Sequence, residues 1–247
     1  MISLTLAFLK IFFRNKRAIF FVILFPTALF LMLALLRFEQ IIRFAPDQSY
    51  IDFLLSGIVA FAVMQMGVYT AAYSLIDYHR QKVLKRLAVT PLSAARFLLA
   101  QGFSRFIMAM IQTGLLIGLG SALFVTDLGL TAIFAPLVIL FGTIIFLNFG
   151  SIIASLARDY EEAAPYTAVA GLGMSFFGDV FFPAANLPVW LQNIAAVLPM
   201  KPFVGLLRYS FFGIGQNEAL MNLLIVLGWL TVSTLAAKII FSKRAYR

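Results

Sequence analysis

The sequence contains no cysteine and a single histidine, His79, and charged residues make up only 12% of its 247 residues. The lack of cysteine excludes disulfides and thiolate metal sites, and one histidine excludes a multi-histidine metal centre. The phosphate-binding pattern Gly-x-x-x-x-Gly-Lys-Ser/Thr is missing, and so are His-Glu-x-x-His and a pair of aspartates inside an apolar stretch. We therefore predict no catalytic residue, no metal site and no cofactor bound by this chain.

What the sequence has in excess is apolar residues: 62% are hydrophobic, 15% are aromatic, and the mean hydropathy is +0.99. Soluble domains are about 45–50% apolar and about 25% charged. A single core of this size cannot bury so many apolar side chains, which excludes an ordinary water-soluble enzyme. We therefore predict that most of the chain lies in a lipid bilayer.

Six apolar runs approach the roughly 20 residues that a helix needs to cross a hydrocarbon core about 30 Å thick. They are residues 18–36, 53–76, 106–125, 128–157, 163–178 and 219–237. We predict an all-α membrane protein, a single transmembrane domain over residues 1–247, with six transmembrane helices and both termini on one side.

Few polar residues interrupt these runs, and we expect Gln65, Gln112 and Asn148 to join helices by hydrogen bonds. Asp179, just after the fifth run, is the one ionisable candidate for an ion path. Because it lies near an outer boundary, we expect it to be hydrated there. Several glycines in the third and fourth runs are typical of close helix packing: Gly114, Gly118, Gly120, Gly142 and Gly150.

The net charge of +9 comes from 19 Lys and Arg residues against 10 Asp and Glu residues. Fifteen of the 19 basic residues lie before the first run, in the second-to-third or fourth-to-fifth connection, or after the sixth run. The positive-inside rule then places both termini in the cytoplasm. The charge indicates topology and attraction to membrane lipids, and we expect no nucleic-acid partner.

Residues 1–17 are predicted to form an amphipathic helix that lies along the inner membrane surface. Ile2, Leu6, Leu9 and Phe13 recur at helical spacing on one side, and basic residues recur on another. These charges follow one apolar stretch and precede a longer one, an order unlike that of a cleaved signal peptide, so we expect the segment to be retained. The alternative is an irregular cytoplasmic start to the first span.

Residues 77–96 form the most hydrophilic connection, for which we predict a short amphipathic helix followed by a sharp break. Thr90 precedes Pro91, and a residue before proline avoids the helical region, whereas Pro91 suits the first turn of the next helix. The result would be a rigid projection into the cytosol; a solvated basic loop is the alternative. One face of the predicted helix carries Lys82, Lys85 and Arg86, and the other carries Val83, Leu84, Leu87 and Ala88.

Residues 181–213 are predicted to form an extracytoplasmic re-entrant helical hairpin before the last span. Pro188 can open a helix and Pro199 must end it, which leaves about eleven residues or roughly 16 Å, half of a bilayer. A second short apolar helix extends to Gly213. A bilayer tolerates such a hairpin only where its broken backbone is buried in protein or lines a wet cavity, and Trp190 would lie at the interface. A segment lying on the membrane surface is the alternative.

Two stretches of this sequence resemble signatures of type-2 ABC transporter permeases, the membrane subunits of ATP-binding-cassette exporters. They are Leu84-Lys-Arg-Leu-Ala-Val-Thr-Pro-Leu-Ser93, and Phe181-Phe-Pro-Ala-Ala-Asn-Leu-Pro-Val-Trp-Leu-Gln192 with Leu198-Pro199 and Leu207-Arg208. The order of the segments also resembles that family over nearly the whole chain, including the acidic residues 159–162.

The resemblance implies two permease copies, as a homodimer or a paralogous heterodimer, and two copies of a separate ABC ATPase subunit that uses ATP and Mg. It implies export across the bacterial plasma membrane, and the phenylalanine-rich lining predicted for the second and fifth spans favours a hydrophobic or amphiphilic cargo, such as a drug, an antimicrobial peptide or a lipid-like molecule. The implied ATPase-interface residues are Lys82, Lys85, Arg86, Leu87, Thr90, Pro91, Glu161 and Glu162. The implied extracytoplasmic gate comprises Phe181, Phe182, Pro183, Pro188, Trp190 and Pro199.

Two other classes stay open as alternatives. An ion-coupled secondary transporter normally has repeated halves, with broken helices and ionisable residues near the membrane midplane. This sequence has its break at an outer edge and no such buried residues. A membrane enzyme or assembly factor would be the third class, and an enzyme would need catalytic groups that the sequence does not offer.

Overall fold

The computed structural model describes residues 1–36, 49–83 and 94–245, and every regular element within these ranges is a helix. The prediction of an all-α protein is confirmed. The helices are α1 (Ile2–Arg14), α2 (Lys16–Ile19), α3 (Phe25–Leu36), α4 (Tyr50–Arg80), α5 (Ala94–Phe124), α6 (Ala135–Leu156), α7 (Tyr160–Phe177), α8 (Val189–Val197), α9 (Met200–Phe212) and α10 (Gln216–Ala245). A π-helical turn, Phe20–Leu24, joins α2 to α3, and short 3-10 turns at Leu130–Phe134 and Ala184–Asn186 precede α6 and α8.

Four helical segments of the described chain are long and apolar enough to cross a membrane: Tyr50–Arg80, Leu99–Phe124, Leu130–Leu156 and Gln216–Ile240. They correspond to four of the six predicted spans. The first predicted span is a shorter apolar helical segment, Phe20–Leu36, and the fifth is α7, which carries Glu161 and Glu162 in its first turn. Helix length and composition thus support four spans and leave the other two as predictions.

Helix α4 lies at the centre of the bundle, where it contacts α3, α5, α6, α7 and α9. Within its most apolar stretch 78% is buried inside the protein, against 11% in α10. Its backbone lies close to that of α6, since a β-carbon built on Gly150 would lie 2.6 Å from the carbonyl oxygen of Gly67. Small residues, and glycine above all, allow two helix backbones to approach closely.

The predicted packing of glycines is confirmed in α6 and wrong in part of α5. A β-carbon on Gly142 would lie 2.3 Å from the ring of Phe203. Around Gly114 and Gly118, by contrast, a β-carbon would meet nothing within 4 Å. These two glycines are exposed, because no helix of the described chain covers that face of α5.

Two of the polar residues predicted to join helices do so. Gln112 of α5 donates hydrogen bonds to the Thr27 hydroxyl (3.2 Å) and to the carbonyl oxygen of Ile23 (3.3 Å). Asn148 of α6 donates to the hydroxyls of Ser233 (3.1 Å) and Thr234 (3.0 Å) in α10. Each bond satisfies a polar group that would otherwise be costly in an apolar environment.

Helix α1 packs on α5 through a different face from the apolar one predicted. Ile2 and Leu6 of the predicted face are 79% and 58% exposed. The helix therefore has an apolar face on the protein and a second apolar face turned outward, as an interfacial helix requires. The residues buried against the protein are Thr5, Phe8 and Phe12.

Candidate functional site

The bundle has two ends, each with a group of predicted functional residues. We call the end where α4 stops and α5 starts the loop end, and the opposite end, formed by residues 178–213 and the first turns of α4, the hairpin end. At the loop end Lys82 is exposed, has a left-handed backbone (φ +55°) and terminates α4 by donating its amide to the His79 carbonyl. The other predicted interface residues of this loop lie outside the described residues: Lys85, Arg86, Leu87, Thr90 and Pro91.

An aromatic cluster at the loop end joins three helices. The ring centroid of Phe97 in α5 lies 5.2 Å from that of Phe8 in α1 and 5.2 Å from that of Tyr78 in α4, both with edge-to-face geometry. This is the preferred arrangement of aromatic pairs. Because Tyr78 and Phe97 stand on either side of the predicted projection, the cluster holds both flanks of that loop together.

A buried cation lies beneath α1. Arg105 of α5 is 9% exposed, and its guanidinium carbon lies 6.0 Å from the centre of the Phe12 ring. A cation over an aromatic face is attracted by the ring's negative face. The Nε atom of Arg105 has no hydrogen-bond partner among the described residues. Helix α1 therefore covers a charge as well as an apolar surface.

Tyr160, the first residue of α7, is bound to the end of α4. Its hydroxyl donates a hydrogen bond to the carboxylate of Asp77, and the guanidinium of Arg80 lies 5.5 Å from the centre of its ring. Partial burial, then the hydrogen bond to Asp77 and its negative charge, raise the pKa of Tyr160 to about 12. The phenol thus stays a neutral donor, and it links the start of α7 to the last turn before the loop.

The predicted interface residues Glu161 and Glu162 are both exposed but differ in their contacts. The N-terminus of α7 is capped by Asp159, whose side chain accepts a hydrogen bond from the Glu162 amide (2.9 Å). The carboxylate of Glu162 accepts one in turn from the amide of Arg158 (2.8 Å). Glu162 is therefore part of a reciprocal helix cap, which the Asp-x-x-Glu spacing indicates. Glu161 projects to the surface beside it.

At the hairpin end the structure contains the two short helices that the prolines predict. Pro188 immediately precedes α8, Pro199 lies between α8 and α9, and Gly213 ends α9 in a left-handed conformation (φ +71°). Gln192 folds back and donates to the carbonyl of Leu187 (2.7 Å), which stabilises the entry to α8. Helix α8 exposes a continuous apolar face of Val189, Trp190, Ile194 and Val197.

The predicted gate residues occupy different environments at this end. Phe181 is half-buried, with its ring 5.7 Å from that of Phe61 in α4. The Phe182 ring lies 6.1 Å from that of Phe176 in α7. Trp190 is 64% exposed. The structure thus separates the phenylalanines, which pack on the bundle, from Trp190, which faces outward.

An ion pair that sequence reasoning missed lies next to these phenylalanines. The Arg208 guanidinium of α9 donates from Nη1 to Asp179 Oδ2 (2.8 Å) and from Nη2 to the backbone carbonyl of Asp179. The two side chains are only 9% and 17% exposed. Asp179 is thus paired with a cation 29 residues later in the chain, a contact that no pattern in the sequence indicated.

The same two residues contact three more residues, in two other elements. Arg208 Nε donates to the Ser56 hydroxyl (3.2 Å), and its guanidinium carbon lies 3.9 Å from the centre of the Phe53 ring, both in α4. The second carboxylate oxygen of Asp179 accepts the amide of Ala184, which starts the turn before α8. Asp179 also has a left-handed backbone (φ +62°), a conformation that aspartate tolerates better than most residues. The pair therefore joins α4, the end of α7, α9 and the segment from Phe181 to Ala184, which we call the gate segment.

A cavity of about 190 Å³ adjoins the ion pair between α9 and α10. Its charged lining is balanced in sign, with one cation and one anion added to the pair itself. It is lined by Asp179, Lys201, Gly205, Arg208, Ile214, Gly215, Glu218 and Asn222. Within the described ranges no three His, Cys, Asp or Glu side chains are placed to hold a metal ion.

Comparison with known proteins gives this architecture a family. The chain is 22% identical over 199 residues to the probable multidrug ABC transporter permease YbhR of Escherichia coli K12, a match covering 79% of this chain and 54% of that protein. It thus spans about half the length of that relative. It is 23% identical over 201 residues to nodulation protein J of Rhizobium leguminosarum bv. viciae (81% of this chain, 77% of that one), and 25% identical over 206 residues to nodulation protein J of Bradyrhizobium diazoefficiens (81% and 76%). The family model described as ABC-2 type transporter matches residues 1–212, and on that match, with its apolar helices, this multi-pass membrane protein belongs to the ABC-2 type transporter family.

Proposed function

We propose that this chain is the membrane permease of an ATP-driven exporter and that a separate ABC ATPase subunit hydrolyses ATP for it. The family match over residues 1–212 carries the proposal. It agrees with a sequence in which no phosphate-binding loop is present. The proposed assembly has two permease copies and two ATPase subunits in the bacterial plasma membrane.

The loop end is the proposed docking face for the ATPase. Transmission of a movement needs a rigid contact, because a flexible one absorbs the displacement. The aromatic contact between Tyr78 and Phe97 supports this role, since it holds the two flanks of the loop together. Tyr160 adds α7 to the same rigid unit through Asp77. The proposed interface comprises Lys82, Lys85, Arg86, Leu87, Thr90, Pro91, Glu161 and Glu162.

The proposed topology has six crossing segments with both termini in the cytoplasm. Helix α7 supports this count, because its first residue, Tyr160, contacts Asp77 at the loop end and its last residue is followed two positions later by Asp179 of the hairpin end. The first apolar segment also runs between the ends: it follows α1, and the Leu33 carbonyl near its far end accepts the Tyr50 hydroxyl (3.1 Å). Both segments therefore extend through the depth of the bundle.

The two helices α8 and α9 form the proposed re-entrant hairpin and outer gate. Trp229 Nε1 donates to the carbonyl oxygen of Val197 (2.8 Å), the last residue of α8. Trp229 lies thirteen residues after Gln216, where α10 begins. At about 1.5 Å per residue, this places the tip of the hairpin roughly 20 Å along α10. That depth supports a hairpin that enters the bilayer over one that lies on its surface.

The proposed cargo is hydrophobic or amphiphilic. One relative is named a probable multidrug permease. The large apolar side chains at the proposed gate, Phe181 and Phe182, are compatible with such a molecule.

The docking proposal is tested by replacing Lys85, Arg86 and Leu87 together with alanine. We expect normal membrane insertion, loss of co-purification with the ATPase subunit encoded beside this chain, and loss of ATP-dependent cargo movement in proteoliposomes. Lys238→Ala, at an exposed lysine of α10 outside the proposed interface and gate, is the control and should leave all three unchanged. Retention of ATPase binding and transport by the triple variant would contradict the assignment. Transport that depends on an ion gradient and not on ATP would overturn the proposed function.

A further inference from the structure

The ion pair at the hairpin end makes more contacts than an isolated salt bridge does. Arg208 donates hydrogen bonds to Asp179 and Ser56 and lies over the Phe53 ring. With Nη1, Nη2 and Nε all engaged, the planar guanidinium is fixed in one orientation. Its position therefore defines the position of α9 relative to α4.

Asp179 links Arg208 to the gate segment. One carboxylate oxygen accepts from Arg208 and the other accepts the amide of Ala184, so one side chain binds both neighbours. Phe181 and Phe182 lie between Asp179 and Ala184 in the chain. The two phenylalanines are thus on a short segment held at both ends by a single carboxylate.

We infer that Asp179 and Arg208 are the positioning residues of the outer gate: the pair holds the segment from Phe181 to Ala184 closed against α4 and α7 in the resting permease. The inference rests on the proposed function only in treating this segment as a gate for cargo. The holding contact itself is a property of the chain alone. Lys201 lines the same cavity from the same helix but is not part of this pair, which makes it a matched cation for comparison.

The native absence of cysteine allows a direct test. Ala184 is 2% exposed, whereas its neighbour Ala185 is exposed. In intact cells, a membrane-impermeant maleimide should label Ala184→Cys slowly and Ala185→Cys rapidly. Adding Asp179→Asn or Arg208→Gln should raise the labelling rate at position 184 at least roughly tenfold, since either change leaves a buried charge without its partner. Lys201→Gln should not raise it.

Two further variants separate positioning from loss of folding. Ser56→Ala removes one hydrogen bond from Arg208 without leaving an unpaired charge, so we expect a smaller rise at position 184. Arg208→Lys keeps the charge but not the planar fork and should fall between the native chain and Arg208→Gln. Unfolding would instead alter the elution of the purified chain and equalise the labelling at positions 184 and 185.

Unchanged labelling at position 184 in Asp179→Asn and Arg208→Gln would overturn the inference. A second arm uses the permease with its ATPase subunit and measures labelling of Ala184→Cys during ATP turnover, where we expect an increase. If ATP has no effect but the resting-state differences remain, the proposed exporter function fails while the holding contact stands. If position 185 is not labelled from outside, the proposed topology fails.

Discussion

The two ends of α4 are held by different kinds of contact. At the hairpin end, Arg208 and Asp179 form an ion pair in which both side chains are largely buried. At the loop end, Tyr78 packs edge-to-face against an aromatic ring and Asp77 accepts one phenolic hydrogen bond. Removing one member of a buried ion pair strands a charge, whereas removing a ring or a phenol leaves none. The hairpin end is therefore the end that a single substitution should disturb more.

The largest expected effect is that of Arg208→Ala, which strands the carboxylate of Asp179. We expect a loss of stability of about 3–5 kcal/mol, measured as a lower midpoint of thermal unfolding in detergent. Combining Arg208→Met with Asp179→Asn removes both charges, keeps an acceptor for the Ala184 amide in a residue that tolerates a left-handed backbone, and should cost less than Arg208→Ala alone. If Arg208→Ala is no more destabilising than Lys201→Ala, the ion pair does not make the hairpin end more sensitive to substitution than the loop end.

The second prediction concerns the loop end and the face by which α1 is bound. Phe8→Ala should destabilise the protein by about 3 kcal/mol, because it removes a buried ring from the cluster with Tyr78 and Phe97. Phe13→Ala is the control, since Phe13 is 49% exposed and belongs to the outward face. Thermal unfolding of both variants measures the difference. An equal effect at both positions would show that the packed face does not hold α1.

The smallest effect is expected for Tyr160→Phe, which removes one hydrogen bond to the half-buried carboxylate of Asp77. A cost of about 1 kcal/mol is typical. Because the pKa of Tyr160 is raised to about 12, the native contribution should be complete below pH 10 and should decline as the pH rises towards 12. Thermal midpoints of the native chain and Tyr160→Phe should therefore converge above pH 10. Tyr166→Phe, at an exposed position, is the control and should leave the thermal midpoint unchanged.

Much of the architecture could be predicted from local sequence. Pro188 and Pro199 bracket α8 because proline can begin a helix but cannot continue one. The start of α7 is fixed by equally local contacts, because the side chain of Asp159 accepts the amide of Glu162 three residues later. These signals act within a few residues, so they do not depend on the rest of the fold.

Helix α1 shows where such reasoning stops. Periodicity identified an apolar face with Ile2 and Leu6 for contact with the membrane, and that face is exposed, but it gave no sign that a second face would pack on the protein. The face with Phe8 and Phe12 packs on the protein because Phe8 contacts the Phe97 ring and Phe12 lies against the Arg105 guanidinium. Which apolar face meets protein and which meets lipid depends on neighbours that are distant in the chain.

By itself, the sequence determined that this is a helical membrane protein with a basic loop and a proline-bracketed hairpin, because hydropathy, charge and proline act locally. Only the tertiary structure decided that Asp179 pairs with Arg208. The physical reason is that its environment is set by Arg208 and Ser56, which lie 29 and 123 residues away in the chain and reach it through helix packing. Burial raises the strength of such a charge contact, and no pattern within one segment reports burial by another.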